Sequence, residues 1–155
     1  MKKYELTEET TNIFGKTLHR IRATRDFSNV HAGDLGGFIE NEFNLSHDEN
    51  ARVYGNVRVY GNARVYGNAR VSSNALVKGT RDIYWISCIG SRDGTTTFFR
   101  NANNGISVSC GCFYGTIDEF AAAVTKTHGD NEHAQAYRHA IEIAKLRIKL
   151  TDTES

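Results

Sequence analysis

The central part of the chain repeats an alternation of apolar and polar residues every six positions. Residues 50–79 read NARVYGNVRVYGNARVYGNARVSSNALVKG, in which apolar, polar and apolar positions are followed by a three-residue bend. The alternation predicts a short strand with one buried face. The recurring Gly-Asn dipeptide predicts a turn, because both residues tolerate left-handed backbone at little cost. A strand and a bend repeated at constant length are typical of a β-solenoid.

Two positions of each unit form the predicted core of this solenoid. The first position is always small or apolar and the third is always valine: Ala51, Val57, Ala63, Ala69 and Ala75, then Val53, Val59, Val65, Val71 and Val77. A helix is the poorer alternative, because each interior glycine costs a helix about 1 kcal/mol relative to alanine. A flexible linker is also disfavoured, since linkers keep no apolar register.

The period extends toward the N terminus in a weaker form. Leu45, Ile39 and Gly33 precede Ala51 at intervals of six, which places them at the first position and Leu35 at the valine position. We therefore predict a solenoid over residues 33–80, with residues 1–32 as a cap over its open end. Within the cap, residues 16–27 predict a strand, and residues 7–10 (TEET) fit a capping box that opens a short helix.

A different pattern begins after Gly79 and predicts an α+β domain over residues 81–150. Three strand-like runs, 83–89, 95–100 and 106–113, are separated by Asp-Gly and Asn-Gly dipeptides, which are strong hairpin signals. They predict a small three-stranded antiparallel sheet. Residues 116–119 (TIDE) read as a capping box at the start of a first helix. A second helix is expected to begin near Asp130 or Asn131, and residues 151–155 are predicted to be a disordered tail.

Each predicted helix has an apolar stripe at helical spacing, as expected of helices that pack on one face of a sheet. The stripes are Ile117, Phe120, Ala121 and Val124, then Tyr137, Ala140, Ile141, Ala144 and Ile148. The predicted fold class is therefore mainly β with an α+β part: a short solenoid followed by a small sheet and two C-terminal helices.

The hexads resemble the left-handed β-helix of hexapeptide-repeat proteins. Units of that family carry an aliphatic residue and, four positions later, a small one, as Val53 and Val57 or Val59 and Ala63 do here. Tyrosine stands in this chain where the family often has glycine, directly after the aliphatic residue. The resemblance implies that three hexads make one triangular coil, so that residues 33–79 give fewer than three coils. Such folds commonly form trimers, and we expect a homotrimer.

Positive charge is concentrated in the repeats. Residues 50–81 contain six Lys or Arg and no Asp or Glu, although the whole chain has a formal net charge of only +1. Arginine offers a planar fork to phosphate and tyrosine a stacking face to a base. With three hexads in a coil, Arg52 is expected to stack above Arg70. The candidate ligand-binding residues are Arg52, Tyr54, Arg58, Tyr60, Arg64, Tyr66 and Arg70. The alternative is that these side chains only solvate the prism and hold its rungs or subunits together.

No catalytic residue, cofactor or metal is predicted. Cys110 and Cys112 share a strand face with apolar residues, and a structural zinc site needs four ligands, so Cys88, Cys110 and Cys112 are interpreted as buried core thiols. His128 and His133 lie on the turn between the helices without a nucleophile motif beside them. The odd cysteine count, with no secretory leader and no apolar run long enough to span a bilayer, favours a cytoplasmic protein that does not enter a membrane.

A closer resemblance covers most of the chain. The runs LHRIRATRDF, GDLGGFIE and NLSHDENARVYGNVRV, followed by GCFYGTIDEF and THGDNE, are similar to bacterial and prophage proteins in which YGNARV-type hexads vary in number. The resemblance implies a phage or mobile-element context, and hence the host cytoplasm.

Three hypotheses of function follow. The first is a non-enzymatic, self-assembling binding protein that counters host defence by binding a host protein or sequestering a nucleotide-type signal. The second is a hexapeptide acyltransferase, for which His47 is the histidine nearest to the repeats. The third is a phage structural or assembly adaptor. Long nucleic acid is not expected as a partner of a chain so close to neutral.

Overall fold

The structure, a computed structural model, describes residues 2–148 and 150; the predicted tail, residues 151–155, lies outside the described residues. The chain forms two compact units that divide between Thr80 and Arg81. The first contains strands β1 (Tyr4–Ile13), β2 (Lys16–Ala23), β3 (Leu35–Ile39), β4 (Arg52–Val53), β5 (Arg58–Val59), β6 (Arg70–Val71) and β7 (Leu76–Val77). The second contains β8 (Ile83–Ile89), β9 (Gly94–Arg100), β10 (Ile106–Cys110), β11 (Phe113–Thr116) and helices α1 (Ile117–His128) and α2 (Glu132–Arg147). The chain is mainly β with two C-terminal helices, as predicted.

An antiparallel hairpin, β1 with β2, forms the start of the first unit. It pairs Tyr4 with Ala23 at one end and Ile13 with Lys16 at the other, and its register shifts between Leu6 and Thr10. The predicted strand at residues 16–27 is confirmed over Lys16–Ala23, which is β2, but the predicted helix at residues 7–10 is wrong. Pairing along the full length of β2 satisfies the backbone of β1 better than one capped helical turn would, so tertiary context overrides the local signal.

The repeats stack as parallel strands separated by three hexads. Arg52 pairs with Arg70 and Val53 with Val71, while Val59 pairs with Val77. The offset in sequence is the same in these three pairs and equals three repeat units. The predicted stacking of Arg52 above Arg70 is therefore confirmed.

The two predicted core positions of every repeat unit are buried. The ten side chains at these positions are all at most 3% exposed. Gly55, Gly61 and Gly67 make the bends with φ between 63° and 73°, and Ser73 takes the same left-handed conformation at φ 62°. The unit is thus closed by a bend that glycine adopts most cheaply.

The extension of the register toward the N terminus is corrected by two positions. Ile39 pairs with Val59, and Leu45 forms a bridge with Val65. Both offsets exceed three hexads by two positions, so Ile39 and Leu45 occupy the valine position rather than the first position. Leu35, predicted at the valine position, is 55% exposed.

The cause of this shift is a two-residue insertion. Val53 follows Leu45 by eight positions, whereas Leu45 follows Ile39, and Val59 follows Val53, by six. Glu49, inside the insertion, adopts a left-handed φ of 55°. Gly33 also lies outside the strands, in a turn with φ 94°. Counting in intervals of six ignores the insertion, so the predicted register is wrong for every repeat position that precedes it.

The second unit has a four-stranded antiparallel sheet in the order β11-β10-β9-β8. The prediction of three strands is wrong at the last run, residues 106–113, which contains β10, a tight turn and the start of β11. Cys110 pairs with Phe113 across that turn, and Gly111 has a φ of 56°. The turn is a Gly-Cys dipeptide, which is a weaker hairpin signal than Asn-Gly or Asp-Gly.

Both predicted helices are confirmed. Thr116 caps α1 in a reciprocal capping box with Glu119, and Asn131 caps α2. The apolar stripes face a core shared with Phe98 and Val108, and only Ala121 among the stripe residues is partly exposed. Within residues 2–148 and 150, neither helix has the length and apolar character that crossing a bilayer requires.

Candidate functional site

The seven predicted ligand-binding residues differ in accessibility. Arg64 is exposed, Tyr54 and Tyr66 are 38% and 49% exposed, and Arg52, Arg58 and Arg70 are half-buried. Tyr60 is only 4% exposed and clusters with Leu18 of β2 and Phe38 of β3. Tyr60 is therefore buried in the first unit, unlike the other two tyrosines of the predicted set. Identical repeat positions acquire different neighbours because only some of them lie beside the β1–β2 hairpin.

Arg64 lies against two exposed aromatic rings. Its guanidinium carbon is 5.4 Å from the ring centre of Tyr66 and 5.7 Å from that of Phe43. Phe43 itself is 57% exposed. Within the described part of the chain, Arg64 has no carboxylate partner and no hydrogen bond. We refer to Phe43, Arg64 and Tyr66 as the Arg64 cluster.

Phe43 could not be found from the repeat pattern. It lies on a 3-10 helix, Glu42–Asn44, that stands outside the hexad alternation. The bridge from Leu45 to Val65 brings this helix beside the hexad that contains Arg64. The side chain of Asn44 then donates to the carbonyl oxygens of Ala63 (2.8 Å) and Gly61 (3.2 Å), which fixes the helix on the repeat. The only sequence signal was an apolar residue among polar neighbours.

Arg58 is held in the sheet rather than offered to solvent. Its backbone pairs with Phe38 on one side and Leu76 on the other, so the three side chains share one row. Its Nε is buried and donates to no group in the described residues. A half-buried guanidinium in this row is less available to a large ligand than Arg64.

Arg52 points toward the segment that connects β2 to β3. Its Nη1 donates to Ser28 Oγ at 3.0 Å and to the carbonyl of Asn50 at 3.4 Å. Burial lowers the pKa of Arg52, and repulsion from Arg70 in the rung below lowers it further. The Ser28 contact was not predicted, because nothing in the repeats shows which part of the cap covers them.

A fully buried lysine holds the two-residue insertion in place. Lys3 Nζ donates to the carbonyl oxygen of Ala51 at 2.6 Å and to those of Asp48 and Glu49 at 3.3 Å each. It also lies 4.5 Å from the centre of the Phe27 ring. Burial, reinforced by the positive charge of Arg25, lowers the pKa of Lys3 to about 8.

The lowered pKa of Lys3 predicts a stability that rises with pH. The unfolded chain keeps the lysine proton up to about pH 10.5, whereas the folded chain releases it near pH 8. Between these values the unfolded state binds more protons, so raising the pH favours the folded state. From pH 7.5 to 9.5 we expect the free energy of unfolding to increase by about 2 kcal/mol. Urea unfolding at several pH values measures this.

Lys3→Met is the control for this pH dependence, because it removes the titrating group and keeps the buried stem. The rise should disappear in this variant. Burial raises the pKa of Tyr4, which has the opposite effect above the ordinary tyrosine pKa of about 10, so the comparison stays below that pH. Equal slopes in the two proteins would contradict the prediction.

His47 has both ring nitrogens engaged. Its Nδ1 accepts the backbone N–H of Lys3 at 3.2 Å, its Nε2 lies 2.7 Å from Glu42 Oε1, and its ring stacks on Tyr4 with centroids 4.0 Å apart. The hydrogen bond from His47, with a further one from Lys2, lowers the pKa of the Glu42 carboxyl. These contacts link residues 2–4 to the segment that contains Glu42 and His47. They leave the imidazole without a free basic nitrogen.

The cysteines are less buried than predicted. Cys88 and Cys112 are exposed, so the prediction of core thiols is wrong for both, while Cys110 is half-buried and packs against the core of the second unit. Cys112 lies in the β10–β11 turn, and Cys88 has a left-handed φ of 58° at an irregularity in β8. Neither position follows the alternation of a regular strand.

A small cluster surrounds Cys110 in the second unit. Thr96 donates to Cys110 Sγ at 3.1 Å, and the Tyr137 hydroxyl lies 3.7 Å from the same sulfur. Burial and this contact raise the pKa of Tyr137 to about 12. The ring of His128 stacks on Tyr137 at 5.9 Å and lies 5.4 Å from that of His133. Throughout the described ranges, no three His, Cys, Asp or Glu residues are grouped as metal ligands would be.

Comparison with protein families gives a match that falls on the repeats. A family model described as YdcK β solenoid repeat matches residues 51–64 and 63–79. These are the hexads that stack at three-hexad intervals in the structure. The central segment is a β-solenoid repeat. The match includes Arg64 and Tyr66 but neither Phe43 nor the second unit. Among curated proteins, none matches the chain.

Proposed function

We propose that this chain is a non-enzymatic binding protein that assembles through its solenoid and holds a phosphate-bearing ligand at the Arg64 cluster. The observation that carries the proposal is an exposed guanidinium without a carboxylate partner in the described chain, flanked by the exposed rings of Phe43 and Tyr66. Arginine binds phosphate through parallel N–H donors, and aromatic rings stack on bases. A nucleotide presents both groups, so a nucleotide-type signal is the ligand class that fits best.

We take the solenoid to be a left-handed hexapeptide β-helix, and the three-hexad offset between rungs supports a three-sided coil. We take the assembly to be a homotrimer. Exposed apolar rings that lie close together are typical of interaction surfaces. In a trimer, the Arg64 of one copy would face aromatic rings of the next copy. Each subunit interface would then contain one ligand site.

The biological setting is proposed from the sequence resemblance alone. The resemblance of most of the chain to bacterial and prophage proteins supports a phage or mobile-element origin and action in the host cytoplasm. A binding protein in that setting would act against host defence by sequestering a nucleotide-type signal. Binding of a nucleotide by the purified protein tests this step.

A host protein is the second candidate partner, and the second unit offers a surface for it. Ile143 is 40% exposed and Leu146 is 69% exposed, one turn apart on α2. Apolar side chains three residues apart on a helix form the kind of face that docks into another protein. This function would leave the Arg64 cluster without a role.

The two other hypotheses have less support. A hexapeptide acyltransferase needs a basic histidine, and both nitrogens of His47 are occupied by Lys3 and Glu42. A structural adaptor would use the repeats only to set a length, and it would not need a cation between two exposed rings.

The proposal is tested by ligand binding and oligomeric state measured on the same samples. Thermal shift with mono-, di- and cyclic nucleotides should identify a stabilising compound, and sedimentation should show a trimer. Arg64→Gln and Phe43→Ala should each weaken binding of that compound about tenfold or more, as expected for a charge-assisted contact or a stacking platform.

Lys126→Gln is the matched control, since it removes one positive charge from an exposed position on α1. It should bind the compound as the natural protein does. Stabilisation by none of the nucleotides, together with a monomer at micromolar concentration, would overturn the proposal. Binding that survives Arg64→Gln would show that the ligand is held elsewhere.

A further inference from the structure

A cavity of about 340 Å³ lies in the first unit, separate from the Arg64 cluster. Its walls come from the end of β2, the segment that connects β2 to β3, and the rung that contains Val53. The sheet through β5 continues through β3 to the β1–β2 hairpin, whereas among the described residues β4 pairs with β6 alone. The cavity lies against Arg52 and Val53 of β4 and against Leu35 and Gly36 of β3.

Most of the cavity wall is apolar. Ile21, Phe27, Val30, Leu35 and Val53 contribute side chains to it. The volume is at the lower end of the range of about 300–1,000 Å³ that small-molecule sites occupy. Such a space holds a compact apolar body and is too small for coenzyme A or a cyclic dinucleotide.

Arg52 lines this mostly apolar cavity and has donors left over. Its hydrogen bonds to Ser28 and Asn50 both use Nη1. Its Nε is buried and makes no hydrogen bond to any described residue. The Nε–Nη2 edge of arginine is one of the forks that bind a carboxylate or phosphate through two parallel hydrogen bonds. A small turn of the side chain toward an anion would satisfy the buried donor.

The surrounding charges favour one anionic group rather than several. Lys3 and Arg52 repel each other, Arg25 adds to that repulsion, and Arg70 repels Arg52 from the rung below. An anion beside Arg52 relieves this repulsion. Asp34 also lines the cavity, however, with its carboxylate accepting the N–H of His31. A second negative charge on the ligand would meet that carboxylate in a confined space.

Acidic residues also lie near Lys3 and Arg52, but they do not neutralise the charge of Arg52. Asp48 and Glu49 act on Lys3, whose ammonium is bonded to their backbone carbonyl oxygens. Glu42 is paired with Lys2 and His47. In the described residues, Arg52 itself forms no ion pair with a carboxylate.

We propose that this cavity binds a small amphipathic monoanion, with a single carboxylate, sulfonate or phosphate head on Arg52 and an aliphatic or aromatic body against the apolar wall. The site is contained within one chain and does not depend on the Arg64 cluster or on assembly. The cavity would give the protein a second class of ligand, different from the nucleotide proposed at the subunit interface.

The test uses 1-anilinonaphthalene-8-sulfonate as a fluorescent probe, with decanoate and decan-1-ol as competitors of matched chain length. We expect one probe molecule to bind per chain and decanoate to displace it. Decan-1-ol, which lacks the charge, should displace it at least about tenfold less well. Arg52→Gln should weaken binding of the probe and of decanoate by a similar factor.

Two further variants separate the cavity from a general loss of structure. Leu35→Trp places a larger side chain at the rim from a position that is 55% exposed, so it should block the probe while the protein stays folded. Lys126→Gln should bind the probe normally.

Three results would overturn the proposal: no binding of the probe, a probe signal unchanged by Leu35→Trp, or equal competition by the alcohol and the acid. Failure of the nucleotide proposal would appear separately, because it depends on Arg64→Gln and not on Leu35→Trp.

Discussion

Replacing Lys3 with alanine will lower the free energy of unfolding by about 2–4 kcal/mol, the loss expected for a buried, hydrogen-bonded charge and its packed stem. The variant leaves the buried carbonyl of Ala51 without its 2.6 Å donor and frees the carbonyls of Asp48 and Glu49. It also opens a cavity where the stem was, since Lys3 is 0% exposed. Urea unfolding at pH 7 measures the loss.

Amide exchange shows where the loss of stability from Lys3→Ala occurs. The two-residue insertion depends on Lys3 for its fixed conformation, so residues 46–53 should exchange faster than the rest of the first unit. Uniform acceleration along the chain would indicate a global effect without any special role for the insertion.

Lys3→Met separates the charge from the stem. It keeps most of the buried volume and removes only the ammonium, so we expect a smaller loss of about 1.5–3 kcal/mol. Lys2→Met is the exposed control and should change stability by less than about 0.5 kcal/mol. A Lys3→Met variant as stable as the natural protein would mean that the cost of burying the ammonium cancels its three hydrogen bonds.

Gly61→Ala is expected to destabilise the solenoid by about 2–4 kcal/mol through two separate penalties. Gly61 has a φ of 63°, where any residue with a Cβ is strained. An added Cβ would also stand 2.6 Å from the carbonyl oxygen of Lys78 in the neighbouring rung. A backbone oxygen cannot move away without breaking the stacking of rungs. The change in denaturation midpoint measures the sum of the two penalties.

Gly15→Ala is the matched control for the first penalty alone. Gly15 has a φ of 80° in the β1–β2 turn, and a Cβ there would meet nothing within 4 Å. We expect a loss of about 1 kcal/mol from backbone strain. The difference between the two variants measures the clash between rungs. Equal losses would show that the rungs at Gly61 separate freely.

The repeat pattern predicted the solenoid because its information is local. Each hexad carries its own buried valine, its own small residue and its own bend, so no distant part of the chain has to be known. The confirmed pairing of Arg52 with Arg70 followed from the three-hexad coil that the resemblance implied. The helices were predicted for the same reason, since Thr116 and Asn131 cap them through residues at most three positions away.

The candidate site was predicted less well, because repeats give every copy the same residues and the fold gives each copy different surroundings. Tyr60 and Tyr66 occupy one hexad position, yet Tyr60 is buried beside Leu18 and Tyr66 is exposed beside Arg64. No periodicity distinguishes them. The difference arises from the hairpin and the 3-10 helix, which lie outside the repeats.

The period, the buried positions, the bends and the two capped helices follow from the sequence alone, since each of these depends on side chains within a few positions. The remaining features are set by the tertiary structure. It set the register of the first coil, where the insertion moved Ile39 and Leu45 into the valine position. It also buried Lys3 against carbonyl oxygens that are remote from it in sequence, and it formed the cavity beside β4. These features depend on contacts between distant segments, which a local pattern cannot specify.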